Sequence, residues 1–181
     1  MARSFRRGGS NKPLAAVALG SNLGDRRAHL DFAVSRLRLL LDDLRVSRYC
    51  ETAPVGVPGP QPSFLNAAAV GVARTAPRLL LDALLAIERA RDRQRPYANA
   101  PRTLDLDLIM FGDAVIDEPG LVVPHPRFRE RRFVLAPLAE IAPELRDAVT
   151  GRTIAELLLA GGPPGADGST AKTAKTAKEP R

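Results

Sequence analysis

The chain has 181 residues, 45% of them apolar, and a formal net charge of +7 from 27 Lys and Arg against 20 Asp and Glu. That much apolar sequence buries a core for one domain and excludes disorder throughout. A basic balance invites a nucleic-acid or membrane partner, so the position of the charge decides how far that reading goes.

Residues 1–13 hold Arg3, Arg6, Arg7 and Lys12 and no acid, while residues 161–181 hold Lys172, Lys175, Lys178 and Arg181 against Asp167 and Glu179. Residues 14–160 retain 19 arginines, no lysine and 18 acids. The expected organisation is therefore a disordered basic tail (1–13), a nearly neutral folded domain (14–160) and a disordered low-complexity tail (161–181). A phosphate loop of the G-x-x-x-x-G-K-[ST] kind is excluded from a lysine-free domain, so any phosphate there is held by arginine and metal. The single cysteine, Cys50, excludes a disulfide framework and a multi-cysteine zinc site, and is expected to be a buried bystander. No apolar run approaches the ~20 residues of a membrane span. The N-terminus has no clean signal-peptide pattern, which makes the cytoplasm the expected compartment.

In chain order, Leu14 to Leu19 reads as a short strand entering the turn Gly20-Ser21-Asn22. Asp25 caps a helix with Leu30, Ala33, Val34, Leu37, Leu40, Leu41 and Leu44 at helical spacing, with His29 on its solvated face. Arg45 to Glu51 reads as a strand. Residues 52–63, with four prolines and two glycines, form a long loop of the kind that is usually functional. Phe64 to Ala73 is a strand, and Pro77 opens a helix carrying Leu80, Leu81, Leu84, Leu85 and Ile87. Glu88 reads as a surface or capping charge of that helix. A second irregular segment reaches the strand Leu104 to Phe111; a helix-like Arg127 to Leu138 and a last helix near Thr153 to Leu159 follow. This alternation fits an α+β sandwich, a largely antiparallel sheet covered by helices.

The sharpest chemical feature is RTLDLDLIMF. In a strand, Asp105 and Asp107 share one face, opposite Leu104, Leu106 and Leu108, with Cα atoms roughly 6.5 Å apart. Aspartate is among the poorest strand residues, and Arg93, Arg95 and Arg102 lie just upstream. Two carboxylates flanked by arginines suit Mg²⁺ shared with substrate phosphates; the plain alternative is a set of surface salt bridges that needs no metal. Phe64 and Phe133 read either as core or as ring contacts. Asn66, in phase with an inward aromatic, offers a donor and an acceptor to a heterocycle edge. His125 is held rigid between two prolines, as a ligand donor or as a surface loop residue.

Together VALGSNLGD, YCETAPVGVPGPQPSFLNAA, IERARDRQRPYANAPRTLDLDLIMFGD and VPHPRFRERRFVLAPLAEIAPEL resemble the 6-hydroxymethyl-7,8-dihydropterin pyrophosphokinase family over about Ala15 to Leu145. The resemblance implies a ferredoxin-like sandwich and transfer of diphosphate from ATP to the hydroxymethyl group of the pterin, with release of AMP, in folate biosynthesis. It implies that Asp105 and Asp107 hold two Mg²⁺ ions, that Arg93 and Arg102 are catalytic, and that Glu88, Arg95, His125 and Arg131 contact the nucleotide. Phe64 and Phe133 would sandwich the pterin, with Asn66, Thr52 and Val55 reading its edge. Asp92 stands where many members have glycine, and Asn99-Ala100 where many have Trp-Gly; Arg95 is the alternative to Arg93. The expected partners are the small-molecule substrates ATP and 6-hydroxymethyl-7,8-dihydropterin, with no nucleic acid and no membrane, acting on a monomer. The competing reading, a nucleic-acid binder of similar fold, meets aspartates where such sheets present basic residues to phosphate.

Overall fold

The computed structural model describes residues 12–54, 60–91 and 101–161. Both tails beyond these limits, with Val55, Arg93 and Arg95, lie outside the described residues. The core sheet carries two interleaved β-α-β units. In the first, β1 (Leu14–Ser21) leads through α1 (Arg26–Leu40) to β2 (Leu41–Val46); in the second, β4 (Phe64–Ala73) leads through α2 (Pro77–Arg89) to β5 (Asp105–Phe111). The sheet order is β2-β4-β1-β5, with the short β3 (Cys50–Thr52) also on β4. Every pairing is antiparallel. This is the ferredoxin-like arrangement, because each helix crosses over one strand of the other unit. A hairpin of β6 (Ile116–Glu118) and β7 (Leu121–Val123), a 3-10 turn at Phe128–Glu130, α3 (Arg132–Ile141) and α4 (Ile154–Ala160) complete the chain.

Alternation along the strands sends side chains to two cores. Val17, Leu19, Ala67, Leu104, Leu106 and Leu108 pack with Leu30 and Leu37 of α1 and Leu80 and Leu84 of α2. Ala16, Ala68, Val70 and Met110 pack with Val134, Leu135 and Leu138 of α3 and Leu157 of α4. Asp25 caps α1 by accepting from the Ala28 N–H at 3.0 Å, and Pro77 opens α2. Thr153 and Glu156 form a reciprocal capping box on α4. Among the described residues no helix is long and apolar enough to cross a membrane.

Several local expectations are corrected. α1 stops at Leu40, and Leu41 is already extended, so Leu41 and Leu44 belong to β2. The expected strand Arg45 to Glu51 is two strands separated by Ser47–Tyr49. Cys50 is exposed rather than buried, since β3 is a short strand at the sheet margin. The expected helix from Arg127 is broken at Arg131, whose backbone is extended. His29 is half-buried rather than solvated, with Nδ1 enclosed and unbonded.

Candidate active site

Small side chains form a shallow trough along part of the α3 face of the sheet. On β1, Ala18 pairs with Ala68 on one side and Asp107 on the other, and Gly20 pairs with Asn66 and Asp105. The residues of each row project to the same face. Two strand spacings separate Asn66 from Asp105, roughly 10 Å, with only Gly20 between them. A methyl group built on Gly20 would lie 3.1 Å from Asn66 Oδ1 and 3.9 Å from Phe64 Cδ1. Ala16 and Val70, further along the same face, are covered by α3, whereas Ala18, Asp105 and Asp107 stay partly exposed.

One wall is made by β4. Asn66 is 6% exposed and its Nδ2 donates to Thr52 Oγ1 at 2.6 Å. The opposite wall is made by β5, whose leucines fill the first core as the sequence alternation requires, leaving Asp105 and Asp107 on the trough side. Each carboxylate has an arginine, and each arginine lies over a phenylalanine. Arg102 Nε is 3.3 Å from Asp105 Oδ2, and its guanidinium lies 5.6 Å from the centre of the Phe64 ring. Arg131 Nη1 is 3.4 Å from Asp107 Oδ2, and its guanidinium lies 5.8 Å from the centre of the Phe133 ring. Arg102 Nε is nevertheless buried without a hydrogen bond.

His125 completes this side. Its Nδ1 accepts from the Arg127 N–H at 3.2 Å, which places any neutral-ring proton on Nε2, 4.0 Å from Asp107 Oδ2. Burial lowers the His125 pKa, and Arg131 and Arg127 lower it further against the pull of Asp107. Burial, and then the neighbouring Asp105 charge, raise the Asp107 pKa against His125, Arg131 and Arg102. Burial lowers that of Arg131. Two carboxylates side by side on one strand face, one of them partly desolvated, fit a divalent ion. Among the described residues no cluster of three or more His, Cys, Asp or Glu side chains forms a closed metal cage. Two carboxylates suit a hard cation that keeps waters and takes its remaining ligands from phosphate.

Glu88 overturns its surface reading. It is 2% exposed and accepts from the Leu106 N–H at 2.7 Å. The amide is on the free edge of β5, where it has no strand partner, and α2 covers that edge. Glu88 therefore fixes the backbone between the two aspartates from behind. Thr52, Phe64, Asn66, Arg102, Asp105, Asp107, His125, Arg131 and Phe133 are all brought to or beside the trough. The resemblance places the loop 20–24 at the site, but sequence reasoning gave Gly20 and Asn22 no role of their own beyond the turn; polar Asn22, directly after an apolar strand, was the available signal.

Paired carboxylates with attendant arginines beside aromatic rings are the equipment of an enzyme that handles phosphates on a flat substrate. The chain belongs to the 7,8-dihydro-6-hydroxymethylpterin-pyrophosphokinase (HPPK) family, whose model matches residues 16–143. It is 44% identical over 146 residues, 80% of this chain and 89% of the other, to a 2-amino-4-hydroxy-6-hydroxymethyldihydropteridine pyrophosphokinase of Pseudomonas aeruginosa. A protein of the same name from Bacillus subtilis is 42% identical over 139 residues, covering 76% of this chain and 83% of that one. Among solved structures, an HPPK-DHPS crystallised with substrates superposes with a TM-score of 0.68 at 12% identity, over 83% of this chain and 43% of that one. That likeness carries the fold.

Proposed function

We propose that this chain transfers diphosphate from ATP to the hydroxymethyl oxygen of 6-hydroxymethyl-7,8-dihydropterin in folate biosynthesis. The observation that carries the reading is the trough. A ring-binding wall of Phe64 and Asn66 faces a phosphate-binding wall of Asp105 and Asp107 across Gly20 and Ala18, on one face of one sheet. The family membership and the relatives' names agree with it.

In this reading Phe64 and Phe133 hold the pterin, and Asn66, steadied by Thr52, pairs with its amide edge; Val55 contributes from outside the described residues. Asp105 and Asp107 would hold two Mg²⁺ ions, which when bound neutralise the charge developing on the phosphates. Arg102 and Arg131 move from carboxylate and ring contacts onto phosphate oxygens, with His125 as a further donor and Arg93 or Arg95, outside the described residues, as a further catalytic arginine. Glu88 holds the β5 backbone in register beneath the nucleotide. The pterin hydroxyl oxygen bonds to the β-phosphorus and loses its proton to solvent. The bond from that phosphorus to the oxygen bridging to the α-phosphate breaks, and AMP leaves with that oxygen. Positioning and charge stabilisation supply the rate enhancement. The chain is taken to act as a cytoplasmic monomer on small molecules, without nucleic acid or membrane. Incubation with ATP, Mg²⁺ and the reduced pterin is expected to release AMP; ADP instead, or no product, overturns the assignment.

A further inference from the structure

One buried amide joins the loop that leads into the ring wall to the loop that leads into the phosphate wall. Asn22 follows β1 and is 1% exposed. Its Nδ2 donates to Gln61 Oε1 at 3.1 Å and to the Pro62 carbonyl at 3.4 Å. Its Oδ1 accepts from the Arg102 N–H at 2.8 Å, and its own N–H donates to the Arg102 carbonyl at 3.1 Å. Both ends of the carboxamide are therefore used, in opposite directions. Gln61 and Pro62 run into Phe64 and Asn66, and Arg102 runs into Asp105. The arrangement needs an amide. A carboxylate of the same shape would present an acceptor to Gln61 Oε1 and Pro62 O, and an aliphatic side chain would leave buried donors and acceptors without partners.

We propose that Asn22 is a positioning residue that couples the two halves of the site, so that a ligand ordering one loop sets the other in its binding geometry. The inference rests on the function proposed above. Rigid bonds to both loops mean that fixing Gln61 and Pro62 against a bound pterin fixes the Arg102 backbone, and so the direction in which its guanidinium leaves the segment before β5. The coupling is reciprocal: nucleotide must tighten pterin by the factor by which pterin tightens nucleotide. Asn22 touches neither ligand in this scheme. Its removal acts on the ratio of affinities more than on either affinity alone.

The experiment measures the dissociation constant of 6-hydroxymethylpterin with and without saturating α,β-methylene-ATP and Mg²⁺, in the full chain and in Asn22→Ala. The expected wild-type ratio is at least about fivefold, the lower end of ordinary coupling. In Asn22→Ala the ratio is expected to fall toward one, with each ligand alone bound within about threefold of wild type. Gln61→Ala, which removes one acceptor without opening a buried site, is expected to lower the ratio in part and covers the case in which Asn22→Ala does not fold. An unchanged ratio with both single affinities lowered together would mean a merely structural residue and overturn the proposal, as would an unchanged ratio in Gln61→Ala if the Asn22 variant is unfolded. Failure of the parent reading shows differently: wild type then binds neither ligand and releases no AMP, and the proposal falls with it.

Discussion

Gly20→Ala tests the proposed ring wall apart from the nucleotide wall. The new methyl group enters the trough 3.1 Å from Asn66 Oδ1 and 3.9 Å from Phe64 Cδ1. Asn66 must give by a few tenths of an ångström, and it is held by Thr52 at 2.6 Å. Overpacking of this kind costs about 1–2 kcal/mol. In the proposed function Asn66 meets the ring, so displacing it from its Thr52 bond is expected to weaken pterin binding by a similar amount, about 1–2 kcal/mol, a rise of roughly 5- to 30-fold in its KM. In the proposed function the nucleotide lies toward β5, so the affinity for an ATP analogue is expected to stay within about twofold. The clash is present without ligand, so it outweighs the up to ~1 kcal/mol gained from the lost freedom of the unfolded chain, and stability is expected to fall by up to about 1–2 kcal/mol. Steady-state AMP release at varied pterin, a titration with α,β-methylene-ATP and a urea unfolding curve read the three quantities. A pterin KM within twofold of wild type, or nucleotide binding weakened equally, would refute the placement of the ring over Gly20.

Further expectations concern the opposite wall and the scaffold. Asp107→Ala is expected to abolish AMP release while leaving the far-ultraviolet circular dichroism unchanged; retained turnover would remove the metal role from the pair. Arg102→Ala is expected to slow turnover by about 10³- to 10⁵-fold, and a loss under tenfold in single-turnover assays would assign the phosphate to another arginine. Asp147 is fully buried and accepts from Arg129 Nε and Nη2, both at 2.7 Å, from the Thr150 hydroxyl at 2.5 Å and from the Val149 N–H at 3.2 Å. These bonds outweigh burial and hold its pKa down at about 2 against an ordinary 3.8. A depressed carboxylate contributes stability that is present above the ordinary value and lost as pH falls through the folded one, here about 2 kcal/mol. Urea midpoints are expected to fall more steeply for wild type than for Asp147→Asn between pH 4 and pH 2; parallel profiles would show that the carboxylate's charge is not what ties this turn down.

The sequence was informative wherever chemistry repeated at a fixed period. Leu104, Leu106 and Leu108 against Asp105 and Asp107 defined both the strand and its two faces. The same rule fails three residues later. The pairing of β1 with β5 skips Ile109, so Met110 turns to the α3 core and Phe111 to the α1–α2 core. A bulge adds one residue and inverts the alternation beyond it, and it depends on the partner strand. Leu41 illustrates a related limit, since its apolar side chain suits a helix face and a strand equally and its buried place in β2 is set by pairing with Ala73.

By itself, the sequence determined that the charge of the chain lies in its tails, that its folded part has no lysine with which to hold phosphate, and that two aspartates share a strand face. Those are properties of composition and spacing, readable without a partner. The tertiary structure alone decided that Asn66 and Asp105 flank one glycine, that Glu88 is a buried acceptor for the Leu106 amide, and that Asn22 bridges two loops. These contacts join residues 18 positions apart for Glu88 and Leu106, 39 for Asn22 and Gln61, and 80 for Asn22 and Arg102. They exist only once β1 has been inserted between β4 and β5, because long-range register is fixed by the whole sheet and by no local pattern.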